Sequence, residues 1–441
     1  MKNWISLSLS GGKSSRFKST SHKALHLIAG KNIASIIIDQ VIQSGIVDNA
    51  IVVPKEHVTD FKSKIDKKIS IIPQSKATGT GDAIKISINT IKKYKYSLII
   101  NGDLPLITSK MLKKIIIAHE KSQSVMTLAA VSGDKYKGYG KLITKGNQVL
   151  HIEERKSYTA ADYLNAGIYA VNNEWLIDNI NKLNKAKTNE LEFTSIVKIA
   201  TKKDQLIKFI DFKDTDEALQ INTGEQLASV RRIINNIICI KHISKGVEIV
   251  DPSTTYIDFD VKIGKNTIIK PNSFITGKTV IKNNCSIGPT TTINKSIIKD
   301  DTIIESSKIN NAEINKNIQI GPFCQIRPGT KILNNVKIGS YVEIKNSLIG
   351  QNCHIGHFSY IGDTHIEESV NIGAGTVTAN YDGKKKYKTY IGKNTFIGSN
   401  ATLVAPIKLG KNVFIGAGSV VINNVNDNQT LVGNPAKSLK K

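Results

Sequence analysis

The sequence predicts an α/β, Rossmann-like domain followed by a linking helix and a left-handed parallel β-helix of hexapeptide repeats. In the first half, short apolar strands alternate with amphipathic segments; a helical apolar spacing follows, and then an isoleucine recurs at every sixth position. At 441 residues the chain is too long for one ordinary core, so we expect two or three domains. The predicted boundaries are residues 1–222 for the first domain, 223–243 for the helix and 244–441 for the repeats.

The first domain shows the alternation that is typical of a parallel sheet with helices on both faces. Apolar strands are predicted at residues 5–9, 51–53, 98–100 and 125–130, and amphipathic helices at residues 33–44 and 80–92. Ligands of such sheets bind beyond the carboxyl ends of the strands. We therefore expect the site of this domain in the loops that follow these strands.

Two of these loops carry residues suited to binding phosphate. Residues 10–17 follow the first strand with small residues, backbone amides and the cations Lys13 and Arg16, which can surround a triphosphate. Their spacing matches neither the Walker A nor the Rossmann glycine pattern. The strand at 98–100 leads to Asp103, where a carboxylate beside a phosphate loop is placed to hold Mg²⁺. The alternative is that Asp103 caps the following turn or helix.

A linking helix is predicted between the two domains, at roughly residues 224–240. Its apolar residues recur at helical spacing and are Leu227, Val230, Ile233, Ile234, Ile237 and Ile238. A segment of this length and pattern is typical of one long helix that leads from the first domain into the repeats.

The second half repeats an aliphatic residue at every sixth position. The series comprises Ile263, Ile269, Ile275, Ile281, Ile287 and Ile293, then Ile314, Ile320, Ile326, Ile332, Ile338 and Ile344, then Ile349, Ile355 and Ile361, and finally Ile391, Ile397, Leu403, Leu409, Ile415 and Val421. Neither a helix nor a simple strand has this period. A triangular solenoid does, because each flat face points one aliphatic residue inward while Gly or Asn turns the corner. A compositionally biased tract does not explain four blocks in register.

The repeat is interrupted between Ile372 and Ile391 by a polar, basic insertion at residues 378–389. Insertions in solenoids form loops on one face and often line a binding site. The three consecutive lysines at 384–386 are equally compatible with a solvated loop tip.

The charge of the chain bears on possible partners. A formal charge of +25, from 61 Lys and Arg against 36 Asp and Glu, is compatible with binding nucleic acid. However, the lysines are spread along the whole chain, and the basic stripe and stacking aromatics of nucleic-acid-binding proteins are missing. We therefore expect no nucleic-acid partner.

The cysteines and the termini bear on the compartment. Cys239, Cys285, Cys324 and Cys353 are far apart and form no Cys-x-x-Cys pair, which favours a reducing compartment over a disulfide framework. The apolar run at the N-terminus is too short for a signal peptide, and no stretch approaches the length of a transmembrane helix. We expect a cytoplasmic protein with no membrane partner.

Motifs along nearly the whole chain carry a family resemblance. In the first half they are residues 9–17, 23–26, 74, 79–81, 102–106, 138–140, 154, 165–167 and 222. In the second half they are residues 320–323, 327–329, 342–345, 356–357, 360–363, 371–376 and 380–383. With these motifs the chain resembles the bacterial bifunctional N-acetylglucosamine-1-phosphate uridyltransferases / glucosamine-1-phosphate acetyltransferases. The second set is specific to that family, whereas many acyltransferases share the hexapeptide repeat.

The resemblance implies that the second domain transfers an acetyl group from acetyl-CoA to glucosamine-1-phosphate. It makes His357 the general base, because an ammonium group must lose a proton before it attacks a thioester. The residues implied to bind the sugar phosphate are Arg327, Lys345, Tyr360, Asn371 and Lys388. Those implied to bind acetyl-CoA are Ala374, Asn380, Tyr381, Ser399, Ala417 and Asn434. The family also forms homotrimers with acetyl sites between neighbouring solenoids, and the insertion is our candidate for the element that reaches across.

The resemblance also implies that the first domain, an α/β nucleotidyltransferase domain, transfers a uridylyl group from UTP to N-acetylglucosamine-1-phosphate and releases pyrophosphate. Such chemistry depends on positioning and charge neutralisation rather than on a covalent residue. The residues implied for UTP and the sugar nucleotide are Leu9, Ser10, Gly11, Gly12, Lys13, Arg16, Lys23, Gln74, Gly79, Thr80, Asn101, Gly102, Asp103, Gly140, Glu154, Asn165 and Asn222. Within this set, Gln74, Gly79 and Thr80 are implied to read uracil. Asp103 and Asn222 are implied to hold Mg²⁺.

The sequence departs from the family pattern in ways that keep alternatives open. Ser14 and Ser15 stand where the family usually has Gly-Thr, His22 stands in place of a Pro, and Asp82 replaces a frequent His. One alternative keeps the fold with a single activity, or with a different sugar-1-phosphate nucleotidyltransferase fused to a hexapeptide acyltransferase. Another is a non-enzymatic scaffold that binds nucleic acid or an acidic surface through its basic solenoid.

Overall fold

A computed structural model describes residues 1–12, 17, 19–154, 159–185, 190–213 and 215–439 of the chain. The structure divides into two compact units, Met1–Arg231 and Arg232–Lys441. Within the described ranges, no helix is both long enough and apolar enough to cross a membrane.

The first unit is built on a nine-stranded mixed sheet. Its strands, together with the short hairpin β2–β3, are β1 Trp4–Leu9, β2 Leu27–Ile28, β3 Lys31–Asn32, β4 Asp48–Pro54, β5 Ser70–Gln74, β6 Tyr96–Asn101, β7 Met126–Val131, β8 Lys141–Lys145, β9 Gln148–Glu153, β10 Leu164–Asn172 and β11 Ile207–Asp211. The order across the sheet is β5-β4-β1-β6-β10-β7-β11-β9-β8. The helices of the chain are α1 Ile33–Ser44, α2 Val58–Lys64, α3 Thr80–Lys85, α4 Ile88–Ile91, α5 Ser109–Lys121, α6 Asn173–Ile180, α7 Ile196–Thr201 and α8 Gly224–Ile243.

The expectation of a parallel sheet is wrong at two strands, β9 and β10. The strands β5, β4, β1 and β6 pair in parallel, as predicted. Strand β10, however, runs antiparallel to both β6 and β7. Strand β9 also runs antiparallel to its neighbours β8 and β11, and its hairpin with β8 needs no helical crossover.

The two helices predicted in this unit have different outcomes. Helix α1 has the predicted bounds because Asn32 caps its start, accepting a hydrogen bond from Ser35 N at 2.7 Å, and Gly45 ends it at a φ of 107°. The helix predicted at residues 80–92 is instead divided into α3 and α4. Buried Ser87 lies between them, and its hydroxyl donates to the Ala83 carbonyl at 2.7 Å, a back-bond that often bends helices.

The second unit contains the predicted left-handed parallel β-helix, preceded by the predicted linking helix, observed as α8. Its first face stacks the strands Glu248–Ile249, Ile268–Ile269, Ser286–Ile287, Ile303–Ile304, Gln319–Ile320, Lys337–Ile338, His354–Ile355, Asn371–Ile372, Phe396–Ile397, Phe414–Ile415, Thr430–Val432 and the antiparallel Lys437–Ser438. The second face stacks Tyr256–Ile257, Phe274–Thr276, Thr292–Asn294, Lys308–Asn310, Gln325–Ile326, Glu343–Lys345, Tyr360–Gly362, Val377–Ala379, Thr402–Val404 and Val420–Val421. The third face stacks Lys262–Ile263, Val280–Ile281, Ile297–Ile298, Glu313–Ile314, Lys331–Ile332, Leu348–Ile349, Thr364–Ile366, Thr389–Ile391 and Ile407–Leu409.

The isoleucine period forms the core of this solenoid. Ile326 pairs with Ile344 and Ile344 with Ile361 in parallel register, and all three are fully buried. At one corner, Asn317, Asn335 and Asn352 adopt φ values between 55° and 61°, which asparagine tolerates better than most residues. Their amides are hydrogen-bonded from coil to coil at 2.9 and 3.0 Å. Each coil therefore fixes the register of the next through both its core and its corner.

Candidate active sites

A cavity of about 590 Å³ opens in the first unit at the carboxyl ends of the parallel strands. Leu9, Gln74 and Asn101, which line it, are the last residues of β1, β5 and β6. This is where ligands bind on such sheets. Of the residues implied for the nucleotide, those that line the cavity are Leu9, Gly11, Gly12, Lys23, Gln74, Gly79, Thr80, Asn101, Gly140, Glu154, Asn165 and Asn222.

The remaining residues implied for the nucleotide are placed differently. Ser10 and Gly102 are buried and pack against each other, since a Cβ atom on Gly102 would lie 2.0 Å from the Ser10 hydroxyl oxygen. Asp103 lies behind the cavity wall and is paired with Lys23. Lys13 and Arg16 lie outside the described residues.

A polar cluster joins Asp103 to two side chains that line the cavity, Lys23 and Asn222. Lys23 Nζ lies 2.7 Å from Asp103 Oδ2 and 3.2 Å from Asn222 Oδ1. Asp103 Oδ1 is buried and takes no hydrogen bond from any described residue. Asp103 does not cap the next helix, because Thr108 occupies that position and accepts from Met111 N. The oxygens of Asp103 and Asn222 thus face the same ammonium group, that of Lys23, and the second carboxylate oxygen of Asp103 has no donor in the described part of the chain. Such oxygens fit a hard divalent ion that also keeps substrate phosphate ligands.

The cluster is supported by neighbours that sequence reasoning did not single out. Tyr139 lines the cavity; its hydroxyl donates to Ala218 O at 2.9 Å and accepts from Gln220 N at 2.7 Å. These bonds fix the segment that leads to Asn222, and burial raises the pKa of Tyr139. Its only sequence signal was its place between the glycines of the 138–140 motif.

The part of the cavity around Asn165 and Glu154 was also incompletely predicted. Asn165 donates to the Tyr169 hydroxyl at 2.7 Å, and Thr194 donates to Glu154 Oε1 at 3.1 Å. Tyr169 and Thr194 line the cavity but were not in the predicted set. Thr194 lies outside the motifs that carry the family resemblance, so the sequence offered little signal for it.

His357 occupies a corner of the solenoid, two residues beyond the strand His354–Ile355. The imidazole covers Gly339, where a Cβ atom would lie 2.8 Å from Nδ1. Ser340 N donates to His357 Nδ1 at 3.0 Å, and the Ser340 hydroxyl lies 2.8 Å from the same atom. Because the backbone N–H can only donate, the neutral ring carries its proton on Nε2.

Cations collect on the second face beside this corner. Arg327 pairs with Glu343 at 2.6 Å, and Glu343 is in register with Tyr360 on the next coil. The ammonium of Lys345 lowers the pKa of exposed Lys386, which shows that the insertion brings a second cation to Lys345. Like charges held together in this way suit an anion such as a phosphate. Lys386 was not in the predicted set, although it is part of the three-lysine run.

The insertion that carries Lys386 is an ordered hairpin. Asn380 begins it and donates to Asp363 Oδ2 at 2.5 Å, while a bridge joins Tyr381 to Lys386. Asp382 turns the hairpin, and the backbone N–H groups of Lys385 and Lys384 hold the pKa of its carboxyl below the usual range. The side chains of Tyr381 and Lys388 are exposed on this hairpin.

Three of the residues implied for acetyl-CoA follow one edge of the solenoid. Ala374, Ser399 and Ala417 each lie two residues beyond a first-face strand, on the coils that follow His357. The backbone is tightly packed here, since a Cβ atom on Gly398 would lie 2.4 Å from Ala417 N. Asn371 lies on the adjoining face in register with His354. Asn434 lies farther along, in the exposed turn after Thr430–Val432.

An exposed stack of aromatic rings flanks the corner that carries His357, and the sequence did not predict it. Phe323, Tyr341 and Phe358 occupy equivalent positions in successive coils, and their ring centroids are 5.0 and 5.1 Å apart. Phe358 directly follows His357 and is 66% exposed. The signal in the sequence was an aromatic residue one place after Pro322, Ser340 and His357, a pattern visible only once the coils are aligned.

Comparisons with known proteins agree with both units. Residues 5–218 match the family model for nucleotidyl transferases. Residues 260–295, 311–346 and 388–423 match the bacterial transferase hexapeptide model, and residues 348–378 match the hexapeptide repeat of succinyl-transferases.

Curated relatives match over nearly the full chain. The bifunctional protein GlmU of Clostridium botulinum (strain Eklund 17B / Type B) is 36% identical over 409 residues, covering 91% of this chain and 90% of the relative. The bifunctional protein GlmU of Clostridium beijerinckii is 36% identical over 433 residues, covering 97% of this chain and 95% of the relative. That of Clostridioides difficile (strain 630) is 33% identical over 445 residues, covering 100% and 97%.

Proposed function

The chain belongs to the family of bifunctional GlmU proteins, and on that premise we propose how its two units divide the work. It is a bifunctional nucleotidyltransferase and N-acetyltransferase that synthesises UDP-N-acetylglucosamine. It transfers an acetyl group from acetyl-CoA to glucosamine-1-phosphate, and then a uridylyl group from UTP to N-acetylglucosamine-1-phosphate, releasing pyrophosphate. The observation that carries this division is that each unit builds its own polar site, one in a strand-end cavity and one at a solenoid corner.

In the first unit, we assign UTP and the sugar phosphate to the strand-end cavity. Lys23 neutralises phosphate charge, and Asp103 and Asn222 would hold Mg²⁺. When bound, Mg²⁺ supplies further neutralisation of the charge that builds on the leaving pyrophosphate. The buried, orphaned Asp103 Oδ1 supports this assignment. Asn165 and Glu154, oriented by Tyr169 and Thr194, hold the sugar.

In the second unit, we assign the general base to His357. The Ser340 N–H and the Ser340 hydroxyl, 2.8 Å from Nδ1, hold the ring in place, and the imidazole accepts a proton. The proton comes from the amino group of glucosamine-1-phosphate, whose nitrogen then attacks the thioester carbonyl and expels the CoA thiolate.

We assign the substrates of the second unit to the surfaces around His357. Arg327, Lys345 and Lys386 bind the phosphate of the sugar, and Tyr360 and Asn371 its hydroxyl groups. Acetyl-CoA lies along the small residues Ala374, Ser399 and Ala417.

We further propose that the enzyme acts as a homotrimer. Tyr381 and Lys388 are exposed on an ordered hairpin, which suits side chains that complete the site of a neighbouring copy. UTP and acetyl-CoA are cytoplasmic metabolites, and we place the reactions in that compartment. Sedimentation of the protein at several concentrations measures the oligomeric state.

A coupled assay tests the proposed function. Incubation with glucosamine-1-phosphate, acetyl-CoA, UTP and Mg²⁺ is expected to yield UDP-N-acetylglucosamine, free CoA and pyrophosphate. The His357→Ala variant is expected to lose CoA release by about 10²- to 10⁴-fold while still releasing pyrophosphate when N-acetylglucosamine-1-phosphate is supplied directly. A wild-type protein that releases no pyrophosphate from UTP and N-acetylglucosamine-1-phosphate has only one of the two activities, and full CoA release by the variant refutes the base assignment.

A further inference from the structure

The side chain of Gln74 is held in one orientation at the wall of the strand-end cavity. Gln74 is the last residue of β5, lines the cavity and is 3% exposed. Its Nε2 atom lies 2.8 Å from Asp82 Oδ2 and 3.3 Å from Gly79 O. An ionised carboxylate and a carbonyl oxygen can only accept hydrogen bonds. The atom between them must therefore be the amide nitrogen, and both of its protons are used.

This arrangement fixes where the amide oxygen points. Gln74 Oε1 lies on the opposite side, against Gly11 of the loop that follows β1, where a Cβ atom would come within 1.8 Å of it. Gly11 and Gln74 both line the cavity. The wall at this point therefore offers a hydrogen-bond acceptor and no donor from Gln74.

Asp82 is itself held in place by the backbone around it. It lies in the first turn of α3, directly after Gly81, whose N–H donates to Leu191 O at 2.7 Å. A Cβ atom on Gly79 would lie 2.5 Å from the same Leu191 oxygen, so this turn is tightly packed. The carboxylate is therefore a fixed, acceptor-only partner for Gln74.

We propose that Asp82 is a specificity-determining positioning residue, which turns the amide oxygen of Gln74 toward the nucleotide base and so selects uracil over cytosine. The inference rests on the proposed uridylyl transfer. Uracil carries a hydrogen on N3 and donates it to the Gln74 oxygen, whereas N3 of cytosine carries a lone pair that opposes it. A histidine at position 82, with a ring N–H that can donate, would not fix this polarity. A site built around one hydrogen-bond polarity discriminates strongly against a base of the opposite polarity.

The test compares UTP with CTP in variants of Asp82. Asp82→Asn keeps the shape of the side chain but can donate as well as accept, so it releases the amide of Gln74 to rotate. We expect the ratio of kcat/KM for UTP to that for CTP, followed by pyrophosphate release, to fall by about 10- to 100-fold. Asp66→Asn, which alters an exposed carboxylate of the same unit, is expected to leave the ratio unchanged.

A double variant separates orientation from simple loss of structure. In Asp82→Asn/Gln74→Glu the asparagine amide can donate to one oxygen of the glutamate, which leaves the other oxygen as an acceptor toward the cavity. We expect this variant to recover most of the preference for UTP. A purely structural role for Asp82 predicts instead that Asp82→Asn lowers both activities in proportion, and an unchanged ratio overturns the inference.

Binding measurements keep this inference distinct from the proposed function. Titration calorimetry with UTP and CTP, without sugar phosphate, is expected to show the same change of preference in Asp82→Asn. A wild-type protein that binds UTP over CTP but releases no pyrophosphate refutes uridylyl transfer alone. A wild-type protein with no preference between the two nucleotides refutes the role of Asp82.

Discussion

The two sites of this chain are assembled from opposite kinds of contact. In the first unit, Lys23 meets Asp103 and Asn222 across 80 and 199 residues of sequence. In the second unit, Ser340 meets His357 across 17 residues and Arg327 meets Glu343 across 16, which is one coil in each case. The cavity therefore depends on the complete sheet, whereas the solenoid site depends on a few neighbouring coils.

This difference has an energetic counterpart. Stacked coils behave as a nearly one-dimensional array in which each coil is stabilised mainly by its neighbours. The sheet, in contrast, buries a shared core that includes Leu7, Ile99 and Leu128 from three strands. We expect damage to remain local in the solenoid and to spread through the whole of the first unit. The predictions below test this contrast.

The largest effect is expected from Asp103→Asn. The substitution removes the carboxylate that faces Lys23 and Asn222, and we expect pyrophosphate release to fall by about 10²- to 10³-fold. CoA release measured on the same preparation is expected to stay within twofold of wild type, because the acetyl site is built from other coils. Asp39→Asn, which breaks the surface pair with Lys31, is the matched control and is expected to alter neither rate. A parallel loss of both activities would show that the two sites are coupled.

Acid is expected to destabilise the first unit before the second. Burial lowers the pKa of His22 and of His119 to about 4, whereas both titrate near 6.5 in an unfolded chain. Between these values the unfolded state binds more protons, so stability present above pH 6.5 is lost as the pH falls toward 4. The loss is on the order of 2 kcal/mol for each histidine by pH 5. Among described residues of the second unit, His242 also has a pKa lowered by burial.

Tryptophan fluorescence can separate the two units in this experiment. The chain has two tryptophans, and both, Trp4 and Trp175, lie in the first unit. The urea midpoint of unfolding detected by tryptophan fluorescence is expected to fall more steeply with acid than the midpoint detected by the circular dichroism of the solenoid. His119→Gln is expected to flatten the dependence, and His365→Gln, on an exposed solenoid position, to leave it unchanged. If the two midpoints depend equally on pH, acid does not destabilise the first unit before the second, and the prediction is wrong.

The smallest effect is expected from trimming one methyl group in each core. Ile344→Val in the solenoid and Ile99→Val in the sheet each remove buried contact, at a cost of about 0.5–1.5 kcal/mol. Ile99→Val is expected to lower the tryptophan-detected midpoint, whereas Ile344→Val lowers only the dichroism-detected one. A shift of the tryptophan signal by Ile344→Val would show that the two units unfold together.

The contrast between the two units also extends to prediction, because the solenoid was easier to predict from the sequence than the sheet. The isoleucine period predicted the solenoid because inward-facing Ile326, Ile344 and Ile361 repeat one local environment. In the sheet, the four predicted strands are observed as β1, β4, β6 and β7, whereas β5 and β8 to β11 were not predicted. The reversed direction of β9 and β10 was missed because an apolar run carries no information about which neighbour it pairs with. The break at Ser87 was missed because helical spacing continues on both sides of it.

The sequence alone determined the two architectures and the family, because periodicity and motif spacing are properties of the chain itself. Only the tertiary structure decided how the residues of the sites work together. It directed Ser340 at His357 Nδ1, brought Lys386 to Lys345, and placed Asp82 where it holds the amide of Gln74. The physical reason is that hydrogen-bond polarity and charge pairing depend on distances of a few ångströms, which residue types and spacings do not specify.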